Sequence, residues 1–276
     1  MIDAHFHCWQ LARADYGWLT PELAPIYRDV SVADWQRQAR AWGVSGGVLV
    51  QAAPTAQETQ FLLQQAQDNP AVLGVVGWID MLAPDAVQQV ARCAEQPLLK
   101  GLRPMLQDLS DPDWILQPAL QPVLSAMARS ALVFDALITP VHLPRILALT
   151  QAHPDLTVVV DHGAKPVIHA AAMDPWREAM TQLARQTDPA KVVCKLSGLW
   201  TEAPAGQAVE VVRPWCEALL DIWGSERLLW GSDWPVLELA GAYAAWRALS
   251  QDVLLKLEPK QRMAVLGENA RRIYRL

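Results

Sequence analysis

The chain has 276 residues, 52% of them hydrophobic and 19% charged, which supplies a large core and excludes a disordered polymer. A net charge of −6, with no run of Lys and Arg longer than the pair Arg271-Arg272, argues against a nucleic-acid partner. No uninterrupted apolar stretch reaches the ~18 residues of a membrane span, so no membrane association is expected.

The first predicted strand is Met1-Ile-Asp-Ala-His-Phe-His-Cys-Trp9. Side chains alternate faces along a strand, so Asp3, His5 and His7 are expected on one face and Ile2, Ala4 and Phe6 on the other. A loop rich in turn formers and aromatics follows, from Tyr16 to Tyr27. A helix over Val32–Trp42 stops at Gly43, and Gly47–Gln51 is an apolar run of strand type. The alternation then repeats. Strands are predicted at Val72–Asp80, Leu99–Arg103, Ala131–Asp135, Leu156–His162, Val192–Ser197 and Leu228–Asp233, each followed by a helical segment. The last helices are expected at Gly241–Leu249 and Pro259–Ile273. Eight strand–helix units with apolar strands match a parallel sheet closed into a single (β/α)₈ TIM barrel, one domain over residues 1–276. No Gly-x-Gly-x-x-Gly follows the first strand, which argues against a nucleotide-binding open sheet.

In such a barrel the chemistry sits at the C-terminal strand ends. Those ends carry His5 and His7, Gln51, Trp78 and Asp80, Arg103, Asp135, Asp161 and His162, Lys195 and Ser197, and Asp233. Each has a plainer reading. His-x-His can be satisfied by backbone, His162 can be a core histidine, and Asp233 can be a turn aspartate ahead of Pro235. Their shared position at strand ends favours a site, and three imidazoles with a carboxylate are donors that suit Zn²⁺. Arg103 can hold a carbonyl or carboxylate oxygen, or form a buried ion pair with Asp80 or Asp135. Lys195 sits inside an apolar strand, so a salt bridge to a strand-end aspartate is expected ahead of substrate binding. Lys165 is also oddly placed for a solvated lysine. Of the 13 tryptophans, Trp18, Trp78, Trp200 and Trp234 are the candidate apolar walls of a pocket. Cys8, Cys93, Cys194 and Cys216 form no Cys-x-x-Cys, and no basic-then-apolar leader opens the sequence; free thiols in a reducing cytoplasm are expected.

Five motifs in order, Ile2-Asp-Ala-His-Phe-His-Cys-Trp9, Gly101-Leu-Arg103, Asp161-His-Gly-Ala-Lys-Pro166, Lys195-Leu-Ser-Gly198 and Gly231-Ser-Asp-Trp-Pro235, resemble the amidohydrolase superfamily. The similarity is to its amidohydrolase 2 branch, which holds sugar lactonases such as L-fuconolactonase, and it runs on to Asn269-Ala270 and Tyr274. The resemblance implies hydrolysis of a cyclic ester, with a small-molecule lactone as the partner. It matches His5, His7, His162 and Asp233 to the family's active-site histidines and terminal-strand aspartate. Many metal-dependent members carry a lysine or histidine ligand at the end of the fourth or fifth strand, where this chain has Arg103 and Asp135. A binuclear site on a carboxylated lysine is therefore not expected. One Zn²⁺-type ion on His5, His7, His162 and Asp233, or a metal-free site, both fit. On this reading Asp233 activates water and Arg103, Trp18, Trp78, Trp200, Trp234 and Lys165 are candidate substrate contacts. A metal-dependent decarboxylase and a catalytically silent binding barrel are the alternatives.

Overall fold

The computed structural model describes residues 1–276 except 170 and 171. Eight strands form one parallel sheet in sequence order: β1 Ile2–Phe6, β2 Gly46–Val50, β3 Val72–Gly77, β4 Leu99–Leu102, β5 Val133–Ala136, β6 Val158–Val160, β7 Val192–Leu196 and β8 Leu228–Trp230. The sheet closes between its ends. The Asp233 N–H donates to the His5 carbonyl at 2.8 Å, and the His7 N–H donates to the Trp234 carbonyl at 2.8 Å. The same hydrogen bonds that shut the barrel thus bring β1 and the turn after β8 side by side.

The helices are α1 Val32–Arg40, α2 Ala56–Asp68, α3 Ala86–Ala94, α4 Gln121–Arg129, α5 Leu143–Ala152, α6 Ala170–Gln186, α7 Arg213–Trp223, α8 Tyr243–Leu254, α9 Pro259–Met263 and α10 Asn269–Tyr274. Their starts are written locally. Ser31 and Asp34 cap α1 reciprocally, Thr55 accepts the Glu58 N–H at the head of α2, and proline occupies the first turn of α4, α5, α7 and α9. The predicted helix over Pro259–Ile273 is split by a wider turn at Ala264–Glu268. That break lets α10 swing under the barrel. Its Ala270, Ile273 and Tyr274 join Ile2, Ala4, Val48, Val50, Val76, Val133, Val159, Val193 and Leu229 in the barrel interior. Among the described residues no helix is long and apolar enough to cross a membrane.

β1 departs from simple alternation. Asp3 pairs with Gly47 but Phe6 pairs with Leu49, so β1 carries one extra residue, a bulge. Ile2 and Ala4 face the interior. Asp3 turns outward, where it accepts the indole N–H of Trp35 in α1 at 2.9 Å and the Ser232 hydroxyl at 2.6 Å. The expected common face of Asp3, His5 and His7 is therefore corrected: only the two histidines share it, because the bulge shifts the register beyond Ala4.

Candidate active site

At the C-terminal mouth His5, His7, His162 and Asp233 meet. Asp233 Oδ1 lies 3.3 Å from His7 Nε2, 3.6 Å from His5 Nε2 and 3.8 Å from His162 Nε2, and the two β1 imidazoles approach to 3.1 Å between Nε2 atoms. All four residues are at most 4% exposed. Two hold left-handed backbone, His162 at φ 53° and Asp233 at φ 57°, a conformation that costs a non-glycine residue of order 1–3 kcal/mol. Gly198 makes room for one of them: a Cβ there would stand 2.3 Å from His162 Nδ1.

A second layer lies beneath. Lys195 Nζ sits 2.5 Å from Asp135 Oδ2, 2.9 Å from Asp161 Oδ1 and 3.1 Å from His5 Nδ1. The Tyr274 hydroxyl, rising from α10, donates to Asp135 at 2.8 Å. The expectation of an internal salt bridge for Lys195 holds, with both aspartates at once. Arg103 differs from expectation: its partner is Asp161, at 3.2 Å, and not Asp80 or Asp135. Its Nη1 also lies 3.4 Å from His5 Nε2, and its Nη2 donates to the Gln51 carbonyl. β3 stops at Gly77, so Asp80 falls in the loop, where it accepts the Leu82 N–H at 3.0 Å and lines the cavity beside Trp18 and Trp78. Asp135 is taken by Lys195 and Tyr274.

Burial and charge decide the protonation states. Burial, and next the Lys195 ammonium, hold His5 well below the usual histidine range, and burial pushes His162 down to about 4. Burial alone would raise the Asp233 carboxyl, but His162 and the His7 hydrogen bond outweigh it and hold it below the usual carboxylate range. Burial likewise opposes ionisation of Asp161, and the Lys195 ammonium overrides it. The site at neutral pH is thus an ionised Asp233 facing neutral His5 and His162.

The remaining candidates are scattered. Trp18 and Trp78 line one cavity of about 680 Å³ with Met81, Pro104, Met105 and Trp114, at the rim of the loops after β1, β3 and β4. Trp234 is 1% exposed, its indole N–H donating to Glu238 at 2.7 Å, so it presents no free face to a ligand. The Trp200 indole donates to the Gln207 carbonyl and Lys165 pairs with Glu202 at 2.9 Å, both away from that cavity. Gln51, expected at the end of β2, donates from its side chain to the Arg103 carbonyl at 2.8 Å. Its Oε1 and the Arg103 Nε are buried without a partner among the described residues.

The donor set fits a metal ion. In tetrahedral Zn²⁺ sites bonds of about 2.0–2.2 Å separate neighbouring ligand atoms by about 3.3–3.6 Å, and the separations among His5, His7 and Asp233 run from 3.1 to 3.6 Å, with His162 Nε2 3.8 Å from Asp233. His5, His7 and Asp233 form one compact group of potential ligands. The Nδ1 of His7 lies 2.8 Å from the Val50 carbonyl, which requires the Nδ1–H tautomer and leaves Nε2 free to ligate. His5 Nδ1 lies between a donor, Lys195, and an acceptor, Asp161 at 3.5 Å, so it can take either tautomer.

A closed (β/α)₈ barrel with imidazoles on β1, a histidine after β6 and an aspartate after β8 defines the class. The chain belongs to the amidohydrolase family, whose model matches residues 2–276. It is 44% identical over 279 residues to an L-fucono-1,5-lactonase of Burkholderia ambifaria, covering 100% of this chain and 95% of that protein. With an L-fucono-1,5-lactonase of Burkholderia multivorans it shares 32% over 287 residues, covering 100% of this chain and 96% of that one. Among solved structures, an amidohydrolase from Burkholderia multivorans with bound Zn superposes with a TM-score of 0.92 at 32% identity, covering 100% of this chain and 99% of that chain.

Proposed function

We propose that the protein hydrolyses a small sugar lactone, an aldonolactone of the L-fucono- or L-rhamnono- kind, to the open hydroxy acid. The convergence of His5, His7, His162 and Asp233 carries this reading, and the 44% identity to an L-fucono-1,5-lactonase supports the substrate class. Asp233, anionic and 3.3 Å from His7 Nε2, takes a proton from the water that attacks the ring carbonyl. The Arg103 guanidinium, held by Asp161 and the Gln51 carbonyl, steadies the oxyanion. As the ring C–O bond breaks, Asp233 returns that proton to the departing oxygen. His5, His7 and Asp233, with His162 beside them, would hold a Zn²⁺-type ion, which when bound would supply Lewis-acid polarisation of the carbonyl and a more acidic water. Trp18 and Trp78 offer apolar faces to sugar C–H groups from the cavity between the loops after β1, β3 and β4. Cys8, Cys194 and Cys216 are buried free thiols, which fits a reducing cytoplasm.

The test is a panel of aldonolactones followed by acid release, alongside elemental analysis of the protein before and after chelator. Turnover of a six-carbon lactone, with metal lost from His7→Ala, is expected. Silence across the panel with divalent metals added, or carbon dioxide release from aromatic acids instead, removes the proposal.

A further inference from the structure

Glu58 stands in the first turn of α2, outside the polar cluster, with no exposed surface. Its Oε2 accepts the Tyr16 hydroxyl at 2.8 Å and lies 3.1 Å from Arg13 Nη2, both from the loop after β1. Its Oε1 accepts the Ala52 N–H at 2.9 Å, from the loop after β2. That N–H is one edge of the Gln51–Ala52 peptide. The opposite edge, the Gln51 carbonyl, is the acceptor for Arg103 Nη2. The next carbonyl, that of Ala52, accepts the Trp18 indole N–H at 2.7 Å.

One peptide plane is therefore gripped by a carboxylate on one side and a guanidinium on the other. An amide whose N–H is bound to a carboxylate is polarised, and its carbonyl becomes a stronger acceptor. The orientation matters as much, since the Ala52 N–H also fixes φ of Ala52, about which the Ala52 carbonyl of the following peptide turns. We propose that Glu58 is a positioning residue: by holding the Ala52 N–H it orients the Gln51–Ala52 peptide, whose carbonyl sets the Arg103 guanidinium in the site, and fixes Ala52, whose own carbonyl seats the Trp18 indole on the cavity wall. Its kinetic consequence rests on the lactonase reading; its structural consequence does not.

Glu58→Met keeps the volume and removes the acceptor, while Glu58→Gln restores an acceptor oxygen without the charge. Freeing the Ala52 N–H, together with the Tyr16 hydroxyl and Arg13 guanidinium, is expected to lower kcat/KM for the aldonolactone by about tenfold to a hundredfold in Glu58→Met. Glu58→Gln should recover most of that loss. The second readout needs no turnover: the Trp18 indole N–H resonance in a ¹H–¹⁵N spectrum, assigned with Trp18→Phe. It should shift and exchange with solvent at least about tenfold faster in Glu58→Met, and stay in place in Glu58→Gln. An unmoved resonance in folded Glu58→Met overturns the proposal, as does Glu58→Gln being as damaging as Glu58→Met. Should Glu58→Met fail to fold, the partly exposed Arg13→Met leaves the carboxylate free to drift; the same resonance should move, and its constancy overturns the idea. A protein silent on every lactone removes the lactonase reading alone, because the resonance still decides the role of Glu58.

Discussion

The lower and upper halves of the barrel interior are built on the same eight strands yet obey different rules. Below, Ile2, Ala4, Val48, Val50, Val76, Val133, Val159, Val193 and Leu229 meet α10 in an all-apolar layer, closed except for the Tyr274 hydroxyl. Above, Asp135, Asp161, Lys195, Arg103 and His5 share a buried polar layer, and His162 and Asp233 hold left-handed backbone over it. Burying apolar surface stabilises the lower half without regard to direction. The upper half has value only while each charge keeps its partner, since an unpaired buried ion is costly. Stability and chemistry are thus stacked along one axis, with Lys195 at the join.

Substitutions in each half should separate these roles. Asp233→Asn, at the top, should lower turnover by about 10³-fold while the circular dichroism melt stays near that of the wild type; near-normal turnover would strip Asp233 of its role. Lys195→Met leaves Asp135 without a cation and Asp161 with Arg103 alone, so urea unfolding should show a loss of about 3–5 kcal/mol together with lost activity. Leu229→Ala, at the bottom, should cost about 2–5 kcal/mol and leave kcat at 25 °C unchanged. A drop in kcat there would join the halves that the comparison keeps apart.

The smallest expected effect is a pH dependence at the rim. Burial pushes the Glu58 carboxyl up to about 7, against hydrogen bonds from Ala52 and Tyr16. The folded protein then binds this proton more tightly than the unfolded chain does. Stability from this group is greatest below about pH 4.5 and falls as pH rises toward 7, by at most about 3 kcal/mol. The difference in unfolding free energy between wild type and Glu58→Gln, measured from pH 5 to 8, should show that slope. A difference that is flat with pH would mean the carboxyl is not raised.

Glu58 was open to a sequence reading. It falls on the core face of α2 with Leu62 and Ala66, at a spacing of four, and a glutamate there demands buried partners. Its partners were not open to one. Tyr16 and Arg13 come from an irregular loop with no periodicity to place them, and Ala52 offers a backbone group that sequence does not distinguish from any other.

The order of strands and helices, the strand-end position of the histidines and aspartates, and the need of Lys195 for an acid partner were all determined by local pattern. Each depends on the period of apolar residues or on the cost of an unpaired charge, which a short window of chain already contains. Tertiary structure alone decided that Asp3 faces α1, that Arg103 pairs with Asp161, and that Asp80 falls in the loop after β3. The direction of a side chain depends on register with the neighbouring strand. A bulge in β1 and the early end of β3 reset that register by contacts between distant segments, and no stretch of sequence contains both sides of such a contact.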